Sequence, residues 1–471
     1  MTRFFHVLLT LMIVASASFA QAIQPPDQVA TIVVHGFDPD GTSQSGTVGD
    51  DFSLDYVTDI AGALNLPLGI ANPTAANQVA CTTYYGTDYP SYYTPQDIAD
   101  VNAATAAFGG GVPRYAAIVA KYARHVMQRS GAKQINLVGL SFGALVSRYI
   151  IEKNLENLAG SDSIARWICV EGVVSGNYAA TYGGPAIYVF FNQYYGGSPT
   201  DLDQMKYTWV DQNIHSPRQN SNAAYFANFP MHFWLAADDN IFNKMLTNLS
   251  GKANDGLVLL EDGYMKNMPV NLLYKGWLPT VSTLHATHDS MKSNEGLRAG
   301  LAAQVFGSKR VTITLTNVQV LRDFDPGKGP GEYVFGVKLF SPTAEDTMGT
   351  TVPIQDLRAE DNSIEYLSLS PNSAQSTGLI WFDDMVLPGE TNLRLETNVE
   401  EIDGDLIYQI TETGGEVRQQ LANTQQTIDV TKNGTYTLAT ADWRGTIDVE
   451  IRDYVGNDNP NSAACDWELY Q

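Results

Sequence analysis

The sequence predicts an α/β domain with a mainly parallel sheet, followed by an all-β domain. In the first domain a short apolar strand at 134–138 runs through Gly-Leu-Ser-Phe-Gly at 139–143 into a helix at 144–151. Strand and helix patterns alternate around this segment, which is typical of a parallel sheet. After Gly307 helical periodicity gives way to period-2 alternation. A length of 471 residues suits two or three domains.

The first domain is expected to occupy residues 23–307, and local patterns define its elements in order. The predicted strands are 29–34, 134–138, 167–171, 229–236 and, near the end of the sheet, 256–260. The predicted helices are 55–64, 112–129, 144–151 and 296–305. Pro113 suits the first turn of its helix, where the missing backbone N–H has no partner to lose.

Two aromatic stretches interrupt the alternation of strands and helices. Residues 175–226 lack regular periodicity, and an insertion of this length is more often a functional cap than a plain loop. A mobile cap or lid with aromatic side chains would bind an apolar substrate and exclude water, whereas a purely structural cap would turn its aromatics inward. The tyrosine-rich run 84–93 suits either an amphipathic surface or the wall of a substrate cleft.

The second domain is expected at 308–471, as a separable antiparallel β-sandwich that carries no catalytic group. Gly, Pro, Asn and Asp separate its alternating segments, as in other sandwiches. These segments are 310–315, 333–340, 393–397, 406–411, 435–439 and 446–452. The aromatic residues available for a core of its own are Phe335, Trp381, Phe382 and Trp443.

Residues 1–22 have the pattern of a signal peptide. Arg3 precedes an apolar run at 4–17 that is too short to span a bilayer, and small residues suited to cleavage follow it. An uncleaved anchor fits less well, because two prolines come directly afterwards. We therefore expect a secreted, extracellular protein, with the periplasm as the alternative, and no transmembrane segment in the mature chain.

The charge of the chain limits its partners. A formal net charge of −23 and a pI near 4.5 argue against nucleic acid, which requires a basic face. They also argue against attraction to anionic lipid by charge alone. An acidic balance is compatible with an exported soluble protein and with carboxylate clusters that bind calcium.

The strand–turn–helix around Ser141 has the form of a nucleophile elbow. Gly139 and Gly143 lack a Cβ, so the strand and the helix can approach closely while the serine Oγ projects above the sheet. The backbone N–H of Phe142 would then lie at a helix N-terminus, where developing negative charge is stabilised.

A serine nucleophile requires a histidine base and a carboxylate that orients it, in the chain order Ser, Asp or Glu, His. His288 is favoured as the base because it lies just before the last predicted helix, and His285 is the competitor. His215, in the insertion, and His232, in a predicted strand, are expected to be structural.

Two places in the chain supply an acid for this histidine. Asp255, in Asn-Asp-Gly, is favoured, and Asp238 and Asp239 compete because they follow a strand directly. A turn aspartate without catalytic function is the common use of Asp-Gly. For the oxyanion hole, the loop after strand 29–34 offers the backbone N–H of Phe37 beside that of Phe142.

Together, His-Gly-Phe at 35–37, the elbow at 139–143, Asn-Asp-Gly at 254–256 and His288 resemble the secreted bacterial triacylglycerol lipases of the α/β-hydrolase superfamily. The resemblance covers residues 29–307. It implies an α/β-hydrolase fold with helices on both faces of the sheet, and it implies no cofactor for the chemistry. In that family the corresponding residues are the oxyanion donor, the nucleophile, the acid and the base; here these are Phe37, Ser141, Asp255 and His288.

Calcium is the metal that these resemblances suggest. The lipases often bind it through an aspartate two residues past the histidine, but Ser290 stands at that place here. The second domain is similar in pattern to C2-like sandwiches, in which acidic loops hold calcium. Solvated acidic turns explain its strand-end carboxylates equally well. The candidate ligands for a structural calcium ion are Asp323, Asp325, Asp453 and Asp458.

The expected function is hydrolysis of carboxylic esters of lipids, at a lipid–water interface, through an acyl-enzyme on Ser141. A phospholipase, a polyester depolymerase and an acyltransferase would share the same triad. A catalytically inactive surface-binding protein is the alternative of another class, and the complete set of serine, histidine, aspartate and His-Gly loop argues against it.

Overall fold

The structure is a computed structural model of the chain. It describes residues 23–37, 47–48, 55–69, 75–237, 246, 248–266, 268–291, 294–322, 330–340, 347–351, 367–402 and 418–453. The predicted signal peptide, the predicted strand 406–411 and the competing acids Asp238 and Asp239 lie outside these residues.

A six-stranded parallel sheet forms the centre of the first part of the chain. Its strand order is β2-β1-β3-β4-β5-β6. The strands are β1 (Val29–Val34), β2 (Val79–Cys81), β3 (Gln134–Leu140), β4 (Ile164–Val170), β5 (Met231–Ala237) and β6 (Thr280–His285). With helices packed on both faces, this is the α/β-hydrolase fold that the sequence predicts, and that prediction is confirmed.

The α-helices whose bounds the structure defines accompany the sheet. They are α1 (Asp55–Leu64), α2 (Pro95–Phe108), α3 (Val112–Ser130), α4 (Phe142–Glu152), α5 (Tyr178–Tyr182), α6 (Gly184–Tyr195), α7 (Pro199–Gln204), α8 (Tyr207–Asn213) and α9 (Glu295–Phe306). Short 3-10 helices are Pro26–Gln28, Leu155–Asn157, Ala224–Asn228, Leu260–Asp262, Val270–Leu272 and Tyr274–Gly276. None of the described helices is both long and apolar enough to cross a membrane.

Alternating residues of the strands fill two apolar cores, one on each face of the sheet. On one face Leu137 of β3 packs with residues of α3 and α4. On the other face Val138 packs with residues of α1 and α9. Because strands buried on both faces read as continuous apolar runs, β1, β3 and β4 are recognisable in the sequence.

Two segments that the sequence analysis described take a different form in the structure. The predicted strand 256–260 is a turn, because the Asp255 side chain accepts hydrogen bonds from the backbone N–H groups of Leu257 and Val258. The insertion at 175–226 is more ordered than its sequence suggests. It contains α5 to α8 and connects β4 to β5.

The second part of the chain consists of antiparallel sheets, as predicted. One has the order β10-β8-β12-β13, with β14 paired to β12 and β9 to β8, and the other has the order β11-β7-β16-β15. The strands are β7 (Lys309–Val320), β8 (Gly331–Phe340), β9 (Thr347–Thr351), β10 (Leu367–Leu369), β11 (Ala374–Met385), β12 (Asn392–Ile402), β13 (Arg418–Gln420), β14 (Gln425–Asp429), β15 (Gly434–Ala439) and β16 (Trp443–Asp453).

These sheets share one core and form a β-sandwich. Phe335 of β8 packs edge-on against Trp443 of β16, with ring centroids 5.6 Å apart. Trp381 of β11 donates a hydrogen bond from Nε1 to the Phe335 carbonyl oxygen at 3.0 Å. The same apolar cluster includes Tyr274 and Trp277 from the first part of the chain, so the sandwich packs against the α/β domain.

Candidate active site

Ser141 lies in the turn between β3 and α4 with a strained backbone. Its φ of 49° and ψ of −122° are rare for a residue with a side chain and match the sharp turn of a nucleophile elbow. A Cβ on Gly143 would meet the carbonyl oxygens of Val34 and His35, and a Cβ on Gly139 would lie 2.7 Å from the Ala144 Cα. Glycine is therefore required on both sides of the serine.

The structure brings Ser141, His288 and Asp255 into one hydrogen-bonded series. His288 Nε2 lies 2.9 Å from the Ser141 Oγ. Its other ring nitrogen, Nδ1, lies 2.7 Å from the Asp255 Oδ2. The three residues come from three different loops at the carboxyl ends of the parallel strands, which is where α/β folds assemble their sites.

The loop that carries Asp255 is held in position by the same side chain that faces the histidine. The Asp255 Oδ1 accepts the N–H groups of Leu257 at 2.9 Å and Val258 at 2.8 Å. Gly256 adopts a φ of 102°, which a residue with a side chain rarely tolerates. The backbone N–H of His288 donates to the Asp255 carbonyl oxygen at 2.8 Å, so base and acid are joined through the main chain as well.

Electrostatics around the site favour a charged histidine. Burial lowers the pKa of His288, but the charges of Asp255 and Glu171 and the hydrogen bond to Asp255 raise it to about 9. A general base must be unprotonated before it can accept a proton. Any reaction that uses His288 as its base should therefore accelerate as the pH approaches 9.

Glu171 is a carboxylate of this site that the sequence analysis missed. It follows β4 directly and is buried, and its Oε2 lies 3.9 Å from the His288 Nδ1. The sequence places Glu171 inside the predicted strand 167–171, although the strand ends at Val170. A charged residue at the carboxyl end of an apolar strand was the signal available in the sequence.

The loop after β1 lies directly over the elbow. A Cβ on Gly36 would lie 2.9 Å from the Ser141 Cβ, and the Phe37 ring stacks on the Phe142 ring with centroids 4.8 Å apart. Tyr84 donates its hydroxyl to the carbonyl oxygens of His35 at 2.5 Å and Gly36 at 3.1 Å. The first tyrosine of the tyrosine-rich run thus supports this loop from within the core.

The insertion covers the same loop. Phe191 of α6 is 4% exposed and meets the Phe37 ring edge-on at 6.2 Å, and a Cβ on Gly197 would lie 3.0 Å from that ring. Burial raises the pKa of the Tyr195 phenol, and the nearby carboxylates, led by Asp289, raise it further. Other aromatics of the insertion face solvent, with Tyr194 exposed to 65%.

Of the other candidate histidines, His232 and His215 have partners away from Ser141 and Asp255. His232 is buried in β5 with its Nδ1 2.8 Å from the Thr280 Oγ1, and burial holds its pKa well below the usual value. The Nδ1 of His215 lies 3.3 Å from the Pro217 carbonyl oxygen, within the insertion. His285 ends β6, three residues before His288.

Among the residues that the structure describes, two groups of three His, Asp or Glu side chains lie close enough together to hold a metal ion. One group is the pair Asp255 and Glu171 beside His288. The other surrounds the ammonium of Lys121, which lies within 3.0 Å of a carboxylate oxygen of Asp97, Asp100 and Glu156 and offsets part of their negative charge.

Of the predicted calcium ligands, only Asp453 belongs to the described part of the chain, where it is exposed at the end of β16. The others, Asp323, Asp325 and Asp458, lie outside it. Near the candidate triad, the Ser290 hydroxyl accepts the backbone N–H of Thr287 at 2.9 Å, so its oxygen is engaged within its own turn.

No protein-family model and no curated protein matches this chain. Among solved structures, it is similar to the mature form of the lipase BlEst2 of Bacillus licheniformis, with 13% identity, a TM-score of 0.33, and coverage of 58% of this chain and 90% of that chain. It is also similar to the metagenomic carboxyl esterase MGS0156, with 16% identity, a TM-score of 0.33, and coverage of 58% and 68%. A C2 domain is similar to 30% of this chain over 97% of its own length, at 12% identity and a TM-score of 0.18.

Proposed function

We propose that this chain is a serine hydrolase that cleaves carboxylic esters of lipids. The observation that supports it is the hydrogen-bonded series from the Ser141 Oγ through His288 to Asp255, at 2.9 Å and 2.7 Å. The strained turn at Ser141 also supports the proposal, because it places the serine Oγ above the sheet.

In the proposed reaction His288 Nε2 takes the proton of the Ser141 hydroxyl as Oγ attacks the ester carbonyl carbon. Asp255 stays ionised and stabilises the imidazolium. The oxyanion accepts the N–H groups of Phe142, at the start of α4, and Phe37. His288 then gives its proton to the departing alcohol, and a water activated by the same nitrogen hydrolyses the acyl-enzyme.

The lipid part of the proposal rests on the aromatic insertion. Phe37, Phe142 and Phe191 form a contiguous apolar wall beside Ser141. Phe142 and Phe191 are already buried, so an acyl chain would cover the half-buried Phe37 ring, at roughly 25 cal/mol for each Å² of apolar surface removed from water. We further propose export, as the composition of residues 1–22 predicts.

A fluorophosphonate probe provides the decisive test, because it labels only an activated serine. We expect stoichiometric labelling of the intact protein at Ser141 and none in Ser141→Ala. Ser147, a buried serine on α4, supplies the matched control, since Ser147→Ala should keep the label. An unlabelled, correctly folded protein would instead indicate a binding protein without catalysis.

A substrate panel separates the hydrolases that share this triad. Short p-nitrophenyl esters, triglyceride emulsions, phospholipid vesicles and a polyester film should be compared, with an added alcohol acceptor to detect acyl transfer. The proposal expects turnover of the soluble ester and of triglyceride. Selective turnover of phospholipid or polyester would reassign the substrate while preserving the mechanism.

Structural calcium in the second domain stays a prediction from the sequence. The test is the melting temperature of the full chain with calcium and with a chelator. A higher melting temperature in calcium, lost in Asp453→Asn, would support a site that includes this exposed carboxylate.

A further inference from the structure

Glu171 lies on the segment that fixes the nucleophile. Just before it, the Val170 carbonyl oxygen accepts the Ser141 N–H at 3.1 Å, and just after it, the Val173 N–H donates to the Ser141 carbonyl oxygen at 3.0 Å. The N–H of Glu171 itself donates to the Trp234 carbonyl oxygen at 2.8 Å. The position of this carboxylate is therefore coupled to the elbow.

The backbone of Glu171 is unusual for a residue of its type. Its φ of 44° lies in the left-handed region, which residues with side chains seldom adopt. Strained residues of this kind persist where surrounding structure determines them, and they cluster at functional sites. Here the strain turns a buried carboxylate toward the histidine.

The two carboxylates beside His288 are not equivalent. Asp255 Oδ2 accepts the Nδ1 proton at 2.7 Å while its Oδ1 is engaged by two backbone N–H groups. Glu171 Oε2 is 3.9 Å from the same nitrogen. A shift of about 1 Å would bring it to hydrogen-bond distance.

We propose that Glu171 is a positioning residue for His288: it stabilises the imidazolium together with Asp255, and it accepts the Nδ1 hydrogen bond when Asp255 is removed. The inference rests on the proposed function. The proton still moves from the Ser141 Oγ to His288 Nε2, the Nδ1 proton stays in place, and both carboxylates remain ionised throughout.

Two observations favour an electrostatic contribution at the observed distance. Burial lowers the pKa of His288, whereas the charges of Asp255 and then of Glu171 raise it. The site is buried, so the interaction between these charges is weakly screened. The other described titratable groups that act on this cluster are Asp289, exposed on the same turn as His288, and Tyr195 of α6.

The backbone makes substitution by Glu171 feasible. His288 is also tied to residue 255 through main-chain atoms, its own N–H and the carbonyl oxygen of residue 255, and substitution of the side chain removes neither atom. Asp255→Ala removes the carboxylate and leaves space for the imidazole or Glu171 to move. Asp255→Asn is less suitable, because its amide can select the wrong histidine tautomer.

The test measures kcat/KM for a soluble short-chain ester from pH 5 to 10 in four proteins: the parent, Glu171→Gln, Asp255→Ala and the double variant. Glu171→Gln should shift the acidic limb of the profile to lower pH with less than a tenfold loss at the optimum. Asp255→Ala should lose about a hundredfold to a thousandfold, short of the roughly ten-thousandfold loss typical of a triad acid. The double variant should lose the remainder.

Asp289→Asn is the matched control, because it removes an exposed charge on the same turn as His288. It should shift the profile less than Glu171→Gln does, and it should leave the residual activity of Asp255→Ala unchanged. A Glu171→Gln profile that coincides with the parent, together with a double variant equal to Asp255→Ala, would overturn the inference.

Folding and function are controlled separately. Circular dichroism should show the parent fold for Glu171→Gln. If that variant does not fold, Glu171→Asp in the Asp255→Ala background replaces it, and the shorter carboxylate should abolish most of the residual activity. An active Ser141→Ala would refute the proposed function, whereas an inactive one with no effect of residue 171 would refute only this inference.

Discussion

The Asp262 side chain forms hydrogen bonds with the insertion at 175–226, and ionisation of this buried carboxyl should lower the free energy of unfolding. Its buried carboxylate accepts the Tyr207 hydroxyl of α8 at 2.8 Å and the N–H of Tyr178, the first residue of α5, at 3.0 Å. Its carbonyl oxygen accepts the N–H groups of Val174 and Ser175, where the insertion begins. One residue thus holds the start of the insertion and α8.

The magnitude follows from the pKa of this carboxyl. Burial raises it from the usual 3.8 to about 7, although the hydrogen bond from Tyr207 opposes the rise. Between these two values the folded protein retains a proton that the unfolded chain has released, so stability falls as the pH rises. A shift of about three units at about 1.4 kcal/mol each gives a loss of up to about 4 kcal/mol between pH 4 and 7.

Urea unfolding of the parent and of Asp262→Asn, from pH 4 to 8, measures the contribution of Asp262 to the free energy of unfolding. The difference isolates residue 262 from the other carboxylates. We expect the parent to lose free energy of unfolding relative to the variant as pH rises to 7, and no further change above 8. Asp203→Asn is the control, because its carboxylate is exposed and its pKa is lowered by the hydrogen bond from Lys206.

A flat difference across this range would refute the reasoning about burial. A parent that gains stability with pH would show that the ionised carboxylate is favoured by its hydrogen bonds with Tyr207 and Tyr178, and that these outweigh the cost of removing the charge from water.

Three further results are expected from the site itself. Ser141→Ala should fold normally and lose on the order of a million-fold in turnover of a p-nitrophenyl ester, and activity above a few per cent would exclude this nucleophile. His288→Ala should abolish turnover while His285→Ala keeps most of it, and the reverse pattern would exchange the two roles. Replacing Phe190 and Phe191 by serine should reduce kcat/KM for long-chain esters more than for short-chain esters, because Phe191 packs on Phe37 beside the elbow, whereas equal losses would indicate a purely structural insertion.

The elbow is readable in the sequence because its requirements are local. An apolar strand, a close turn and an amphipathic helix follow one another within about twenty residues, and each has its own pattern. The turn requires glycine at 139 and 143, because a Cβ at either position would collide with backbone atoms. At Gly139 these atoms belong to Ala144 of α4, and at Gly143 they are the carbonyl oxygens of Val34 and His35. Local signals of this kind survive without any knowledge of the tertiary fold.

Sequence patterns do not predict elements whose side chains are chosen for contacts with residues far away in the chain. β6 was not predicted, because Thr280 and Ser282 interrupt its apolar run; their hydroxyls contact His232 and Asp384. β2 has only three residues, too few for a period. Glu171 resembled one more strand residue, since its distance from His288 depends on how β4 and β6 are arranged in the sheet.

The contact between the two parts of the chain leads to a last prediction, which concerns Asp384 of β11. Its buried Oδ2 accepts the Ser282 hydroxyl at 2.9 Å and the Gln304 Nε2 at 2.7 Å, both from the α/β domain. The Gln304 Oε1 in turn accepts the Trp234 Nε1 at 2.7 Å. This chain of hydrogen bonds links the core beside β5 to the sandwich.

Asp384→Ala should therefore destabilise the intact protein, because it removes an acceptor from the half-buried Ser282 hydroxyl and from the buried Gln304 amide, at roughly 1–3 kcal/mol for each group. Gln375→Ala, at an exposed position on the same strand, should leave the melting temperature unchanged. Truncation after Gly307 removes the sandwich, so water can reach the Ser282 and Gln304 donors and the Trp277 ring becomes exposed. The shortened chain should still hydrolyse a soluble ester, but it should unfold at a lower temperature. If Asp384→Ala and the parent have the same melting temperature, the hydrogen bonds across this contact contribute nothing to stability. Complete loss of activity in a folded truncate would mean that the sandwich completes the active site.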